Sequence, residues 1–301
     1  MTKLKKTTTA WLLVLCMIVS IAASAIYVHA GDVVDYDAMS MEELFNYEKS
    51  LTWVFAGDSI THNGSWSQGM NSYSEWFEQY LYDINRGDDS VVLTAWGGAD
   101  IYDFQTYENT PNGNGAKADP GMGIENFVTK YNPDVVFIKL GMNDRGKTTE
   151  TYVEYYNKML DSIYEIGKAN GKKPKIVLLT PSPMSGESIY NKEDTTQDSV
   201  WRFQKALTGI AQERGLLLCD LVTAFTNEAV ALGSDYHRTF FSDPSDGGIH
   251  PNASGQYLIF KSLSKTIGIY DEDMAIYQLT YDDINSSALY VEGTNGVIYD
   301  G

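Results

Sequence analysis

Five short apolar runs divide the chain, and each is continuous where a half-buried strand would alternate apolar with polar residues. They are rich in Val, Ile and Leu, the composition of strands buried on both faces of a parallel sheet. The runs are Leu51–Ala56, Val91–Ala95, Val135–Leu140, Ile176–Thr180 and Leu216–Leu221. We therefore predict five parallel strands that helices cover on both sides.

The segments between these runs have helical periodicity. One of them carries apolar residues at Trp76, Phe77, Tyr80 and Leu81, the spacing of one face of an amphipathic helix. The predicted helices are Ser72–Ile84, Thr149–Asn170, Asp198–Arg214 and Asn252–Ile267. Alternating strands and helices predict an open α/β sandwich, in which the crossovers between parallel strands are right-handed.

Three short polar segments directly follow the first three predicted strands. They are Gly57-Asp58-Ser59, Gly97-Gly98 and Gly141-Met142-Asn143-Asp144. Ligands of such sheets bind beyond the carboxyl ends of the strands, so we expect the three segments to meet at one edge of the sheet. Together they offer a hydroxyl, backbone amides beside glycine and a carboxamide, which suit acyl transfer through a serine.

Each of these groups has a predicted role. Ser59 is the candidate nucleophile. The oxyanion that its attack creates is expected to be held by the backbone amides of Ser59 and Gly98 and by the side-chain amide of Asn143. Asp144 is expected to fix its loop and not to touch the substrate.

A histidine is required to take the proton of the serine. His250 lies in the segment Gly248-Ile249-His250-Pro251, just before the last predicted helix. His62 is closer to Ser59 along the chain and is the alternative. We predict His250 as the base, and His62 and Asp58 as residues that line the pocket and can bind the substrate.

These segments resemble the conserved blocks of the SGNH hydrolases, also called the GDSL esterase and lipase family. The resemblance extends from Leu51 to Ile267. It implies a flavodoxin-like three-layer α/β/α sandwich with a five-stranded parallel sheet, and ester hydrolysis without a cofactor. The matching blocks are Gly57-Asp58-Ser59-Ile60-Thr61, Gly98, Gly141-Met142-Asn143-Asp144 and His250-Pro251-Asn252.

The chain departs from the pattern of the family in two places. The asparagine usual a few residues before the second-block glycine is absent. The family places its acid three residues before the histidine, and here that position is Gly247. We predict that Asp246 holds the histidine in the productive tautomer. A dyad oriented by a backbone carbonyl ranks second, and Asp243 third.

Residues 1–30 resemble an export signal. Three lysines lie among the first six residues, an apolar run covers Trp11–Val28, and the small residue Ala30 precedes a cut at Gly31. An uncleaved anchor is the alternative, because the run approaches the roughly 20 residues of a membrane span. We predict cleavage and secretion, with no membrane contact afterwards.

The net charge of the chain excludes some classes of binding partner. The chain has a net charge of −18, which becomes −21 once the three lysines of the leader are lost. A surface of this sign repels nucleic acid and anionic membranes. Cys219 is the one cysteine after the leader, so no internal disulfide is possible.

We predict a hydrolase domain over residues 31–270 and a C-terminal extension over 271–301. In the extension, Ala275–Thr280 and Ala288–Val291 have the composition of short strands. A region rich in Gly, Asn and Pro, Tyr107–Gly123, is predicted to be a long loop beside the site. Its acidic residues do not have the spacing of a calcium loop, so no metal is expected.

The substrate is predicted from aromatic residues near these segments. Trp66 follows the nucleophile and Trp96 precedes Gly97, and aromatic faces beside a cleft pack well on sugar rings. With export and the negative charge, this favours an esterase that removes O-acetyl groups from a carbohydrate. An acyltransferase acting on glycans is the alternative. A lipase, a thioesterase or a non-catalytic glycan-binding domain ranks behind it.

Overall fold

A computed structural model describes most of the chain beyond the predicted leader. Its coordinates fall into two units, Met1–Val34 and Asp35–Gly301, and the second holds every element discussed below except the first residue of β1. The proposed leader and the loop predicted at Tyr107–Gly123 lie outside the described residues. The described ranges are 33–63, 71–102, 124–184, 200–233, 239–241, 248–286 and 298–299.

The five predicted strands form one parallel sheet, which confirms the predicted fold class. They are β2 to β4, β6 and β7, in the spatial order β7-β6-β4-β2-β3, and the short strand β8 pairs with β3 at the edge. The bounds are β1 Val34–Asp35, β2 Thr52–Gly57, β3 Ser90–Ala95, β4 Val135–Lys139, β5 Lys172–Lys173, β6 Lys175–Leu179, β7 Leu217–Cys219 and β8 Ile298–Tyr299.

Strand β2 lies between β3 and β4, and the register of the three strands aligns their carboxyl ends. Gly57, the last residue of β2, pairs with Ala95 on one side and with Lys139 on the other. The segments that follow the three strands therefore leave the sheet at the same level, as expected for the site.

The helices flank the sheet, and several begin at side-chain caps. Ser72 and Glu75 form a reciprocal capping box at the start of α3, and Thr148 caps α5. The bounds are α1 Met41–Phe45, α2 Ser59–His62, α3 Tyr73–Asp83, α4 Ile124–Tyr131, α5 Thr149–Ala169, α6 Val200–Arg214, α7 Leu221–Leu232, α8 Ala253–Thr266 and α9 Tyr281–Ser286.

The two faces of the sheet have different cores. Val136, Ile138 and their neighbours pack with the tyrosines of α5 in a largely aliphatic cluster. On the other face, Phe55 stacks on Phe137 with ring centroids 4.6 Å apart, and Phe77 of α3 contacts both rings edge-on. Neighbouring residues of β4 point to opposite faces, which assigns each to one of these cores.

The strand predicted at Ala275–Thr280 is wrong. Residues Ala275–Tyr277 form a single 3-10 turn. Ile276 and Tyr277 are both buried, and the ring of Tyr277 stacks on Phe260 of α8. A strand would turn one of these two neighbours away from α8, whereas a turn buries both. Ala288–Val291 lies outside the described residues.

Strand β7 ends earlier than predicted because a helix begins immediately after it. Asp220 caps α7 by accepting a hydrogen bond from the Thr223 amide, and the Thr180 hydroxyl accepts from the amide of Leu221. Cys219, at the end of β7, is free and buried, and burial raises the pKa of its thiol to about 12. In the described part of the chain no helix combines the length and apolarity of a membrane span.

Candidate active site

Ser59 and His250 meet at the carboxyl end of β2. Ser59 is the first residue of α2, and its Oγ lies 2.9 Å from Nε2 of His250 across 191 residues of sequence. Both residues are partly exposed, whereas Asp58 and Ile60 beside Ser59 are buried. The hydroxyl can therefore face a substrate while its helix stays anchored.

Close packing at Gly57 sets the position of Ser59. A Cβ at Gly57 would lie 2.1 Å from Oγ1 of Thr61 and 2.8 Å from the carbonyl oxygen of Lys139. Only glycine lets the turn from β2 into α2 fold back on strand β4 in this way. Asp58 then caps α2, accepting a hydrogen bond from the Ile60 amide at 3.0 Å.

His250 is held by the start of α8. The side chain of Asn252 caps this helix by accepting a hydrogen bond from the Gly255 amide at 3.0 Å. The backbone amide of Asn252 donates to the carbonyl oxygen of Phe240 at 2.9 Å. Pro251 forms an antiparallel bridge with Phe241. These contacts fix the backbone on the C-terminal side of His250.

A glutamine that the sequence did not single out joins the two halves of the site. Gln256 of α8 is buried, and its Nε2 donates to the carbonyl oxygen of Ile60 at 2.9 Å. Its Oε1 accepts from the amide of Tyr73 at 3.2 Å. The helix that follows His250 is thereby bonded to the helix that begins at Ser59. No motif signals this residue, because a glutamine in a helix usually faces solvent.

The segments after β3 and β4 lie side by side. Gly98 has φ of 80°, a conformation that glycine adopts without strain, and it turns the chain after Trp96. The side chain of Asn143 donates from Nδ2 to the carbonyl oxygen of Ala99 at 2.8 Å. Gly98 and Asn143 are partly exposed, as Ser59 and His250 are. The two segments predicted to hold the oxyanion are thus joined directly.

Charged side chains reinforce this junction from behind. Asp144 is buried and accepts from the Ile101 amide at 3.1 Å. Lys147 forms ion pairs with Asp100 and, at 3.5 Å, with Asp144. Burial raises the pKa of Asp144 to about 7, against the opposing effect of Lys147. Burial lowers the pKa of Lys147, but Asp144 and Asp100 outweigh it, so the net direction is upward.

Arg202 of α6 ties down the backbone of the same segment. It is buried, and its guanidinium donates to the carbonyl oxygens of Lys147 at 2.8 Å and Arg145 at 2.6 Å. The segment after β4 is therefore fixed on one side to the segment after β3 and on the other to α6. Asp144 fixes its loop, as the sequence suggested.

The remaining predicted residues fall in different places. His62 ends α2, one turn from Ser59, and is partly buried. Trp96 is 6% exposed and packs in the aliphatic core, and its contact with the substrate stays a prediction. Trp66, Asp243 and Asp246 lie outside the described residues. Across the described ranges, no group of three His, Cys, Asp or Glu side chains is arranged to hold a metal ion.

The chain is similar to known proteins in sequence and in fold. Residues 55–258 match the model of the GDSL-like lipase/acylhydrolase family. A multidomain esterase of Ruminococcus flavefaciens is 24% identical over 218 residues, which are 66% of this chain and 26% of that protein. The chain therefore spans about a quarter of the length of that relative.

Solved structures share the fold. LAE5, an α/β hydrolase enzyme from the metagenome of Lake Arreo, has a TM-score of 0.52 at 21% identity over 75% of this chain and 99% of its own. A variant of Axe2, an acetyl xylan esterase from Geobacillus stearothermophilus, has a TM-score of 0.51 at 20% identity over 73% of this chain and 96% of its own.

Proposed function

The chain belongs to the GDSL-like lipase/acylhydrolase family, and on that premise we propose that it is a secreted serine esterase that removes O-acetyl groups from carbohydrates. The contact between Ser59 Oγ and His250 Nε2, at 2.9 Å, carries this proposal. A nucleophile and a base within hydrogen-bond distance are the minimum that acyl transfer through a serine requires.

The reaction begins with proton transfer. His250, with its Nε2 unprotonated, takes the proton of Ser59 as Oγ attacks the ester carbonyl. The tetrahedral oxyanion is held by the amides of Ser59 and Gly98 and by Asn143. When the intermediate collapses, the imidazolium returns the proton to the departing sugar oxygen and leaves an acetyl group on Ser59.

The second half of the reaction repeats these steps with water. His250 deprotonates a water molecule that attacks the acetyl-enzyme, and the same donors hold the second oxyanion. Collapse releases acetate and restores the serine. One of the two hydrogens on Nδ2 of Asn143 binds Ala99, and the other is free in this scheme to reach the oxyanion, because a carboxamide has two donors.

The imidazolium formed in each half needs an acceptor for its other ring nitrogen. Asp246 has this role in our proposal, ahead of a backbone carbonyl and of Asp243. Asp246→Ala should lower kcat far more than Asp243→Ala if the order is right. If neither variant changes kcat, the dyad oriented by a backbone carbonyl is the better description.

The choice of a sugar acetate rests on the relatives. Axe2 is named an acetyl xylan esterase, and the Ruminococcus relative is a multidomain esterase. Catalytic mutants of Axe2 with solved structures replace a serine, a histidine and an aspartate, the residue types that we assign here. Export through residues 1–30 would bring the enzyme to such polymers.

The proposal is tested by labelling and by product release. A fluorophosphonate probe should label the wild type and not Ser59→Ala, with the label recovered on the peptide that contains Ser59. Incubation with acetylated xylan and a panel of sugar acetates should release acetate into water. Ser262→Ala, which removes a hydroxyl that donates to the carbonyl oxygen of Leu258 within α8, is the matched control and should keep both activities. A wild type that is neither labelled nor able to release acetate would contradict the proposal.

A further inference from the structure

Lys139 ends strand β4 and is completely buried. Its Nζ lies 3.7 Å from Oδ1 of Asp58, which is also completely buried. Among the described residues neither Nζ of Lys139 nor Oδ2 of Asp58 makes a hydrogen bond. Strand β4 otherwise presents only apolar side chains, so the lysine interrupts a run that the fold needs for its core. A buried charged pair at such a position calls for a functional explanation.

The pair lies directly behind the nucleophile. Asp58 is the residue before Ser59 and caps α2, and the carbonyl of Lys139 packs against Gly57. Lys139 alternates along β4 with Ile138, so it shares the face of Phe137 beneath α3. The ammonium group therefore reaches Asp58 from within the buried core between the sheet and α3.

Three tyrosines and one cysteine near the pair carry no charge near neutral pH. Burial raises the pKa of Tyr73 of α3, and the negative charge of Asp58 adds to that effect. Burial likewise raises the pKa values of Tyr152 and Tyr156 of α5, again with a contribution from Asp58. The Cys219 thiol interacts with Tyr73 and stays protonated, since burial raises its pKa to about 12. In the described residues Lys139 is thus the cation that faces Asp58.

An unpaired carboxylate at this place would oppose the reaction. A buried negative charge is screened weakly, and the attack of Ser59 creates a second negative charge one residue away. With Lys139 present the pair has no net charge, whichever partner holds the proton. We propose that Lys139 is a positioning residue of this esterase, which anchors Asp58 at the cap of α2 and removes its charge from the environment of the oxyanion.

This inference rests on the proposed function, and a set of four variants tests it. They are Lys139→Met, Asp58→Asn, the double variant, and Lys158→Met as the control, because Lys158 is an exposed lysine of α5 whose ammonium group pairs with Glu154 and lies over the ring of Tyr155. Asparagine at position 58 can still accept from the Ile60 amide, so it keeps the cap and removes the charge. The measurements are kcat and KM for a sugar acetate from pH 5 to 9.

We expect Lys139→Met to lower kcat by about 10- to 100-fold at pH 8 with little change in KM, since it exposes the oxyanion to an uncompensated charge. Its activity should fall further on the alkaline side, as the unpaired carboxyl loses its proton. The double variant should recover most of the loss, and Lys158→Met should match the wild type. A double variant as slow as Lys139→Met, or an unchanged pH profile in Lys139→Met, would overturn the proposal.

Unfolding in urea separates this inference from the proposed function. The losses of stability in the two single variants should exceed that of the double variant, because each leaves one buried charge alone. Additive losses would overturn the pairing even if no ester is hydrolysed. If Lys139→Met does not fold, a folded double variant supports the pairing. Failure of both to fold, with Asp58→Asn folded, contradicts it.

Discussion

The side chain of Gln256 donates a hydrogen bond to the carbonyl oxygen of Ile60 at 2.9 Å. Ile60 follows Ser59, and Gln256 lies in the second turn of the helix that His250 precedes. One buried amide therefore links the backbone beside the nucleophile to the helix beside the base. The same amide accepts from Tyr73 at the start of α3, so three helices share this contact.

Loss of the Gln256 side-chain amide should lower both the stability of the protein and its activity. Gln256→Leu removes the partner that the described residues give to the buried carbonyl of Ile60 and to the amide of Tyr73, which costs about 1–3 kcal/mol for each group. We expect a lower free energy of unfolding in urea and a reduced kcat at saturating substrate.

Gln278→Leu is the control for this substitution, because the hydrogen bonds that its side chain makes to described residues are exposed and 3.3 Å long. It should leave the unfolding free energy within about 0.5 kcal/mol of the wild type. Equal free energies of unfolding for the two variants would show that the hydrogen bonds of Gln256 do not stabilise the site.

The second prediction concerns Asn143, a proposed donor to the oxyanion. Asn143→Ala should lower kcat by about 10²–10³-fold, because it removes a donor to the developing charge. The rate of fluorophosphonate labelling should fall with it, since the phosphoryl oxygen occupies the same position.

Asn46→Ala, which removes an exposed hydrogen bond to Glu42, provides the comparison and should label at the wild-type rate. Circular dichroism is needed to confirm that Asn143→Ala remains folded. A folded variant with unchanged turnover would exclude Asn143 from the oxyanion hole.

The sheet was predictable from sequence because its signal is local. Strands buried on both faces must be apolar at every position, and the five runs of Val, Ile and Leu satisfy that requirement. Helix α7 was missed because Leu221–Leu232 continues the apolar run of β7, and only Asp220 as a cap separates them. Lys139 was not singled out from the sequence for a similar reason, because it is one polar residue within an apolar run.

The site was predictable only as a set of residue types. Its glycines, Ser59 and Asn143 follow strand ends, so the rule for ligand sites in parallel sheets groups them. The distance between Ser59 and His250 depends on how α8 packs on α2, and Gln256 joins these two helices by a hydrogen bond across 196 residues. Nothing local in the sequence indicates such a contact.

The third prediction concerns Gly57, which is closely packed at the end of β2. In Gly57→Ala the new methyl group would lie within 3 Å of Thr61 and of the Lys139 backbone. We expect a loss of about 1–3 kcal/mol in unfolding free energy, the usual effect of overpacking, together with loss of labelling at Ser59 as α2 is displaced.

Gly97→Ala is the matched substitution for Gly57→Ala, because a Cβ at Gly97 meets nothing within 4 Å. Its unfolding free energy should stay within about 0.5 kcal/mol of the wild type. Similar losses in both variants would mean that Gly57 is not a packing constraint.

Asp144 predicts a dependence of stability on pH. Its pKa is raised to about 7 in the folded protein, chiefly by burial, whereas the carboxyl of an unfolded chain titrates near about 3.9. Between these values the folded state holds a proton that the unfolded state has released. The stabilising contribution of the protonated group is therefore complete below about pH 4, declines as the pH rises, and is lost above about pH 7.

Asp144→Asn cannot titrate and keeps an acceptor for the Ile101 amide. Relative to this variant, the wild type should lose up to about 4 kcal/mol of unfolding free energy between pH 4 and 7, measured by urea titrations at several pH values. Asp283→Asn should show the opposite dependence of stability on pH, because hydrogen bonds from Thr280 lower the pKa of Asp283. Relative to that variant, the wild type should lose stability as the pH falls. A difference between wild type and Asp144→Asn that stays constant with pH would show that Asp144 is ionised throughout, with Lys147 compensating its burial in full.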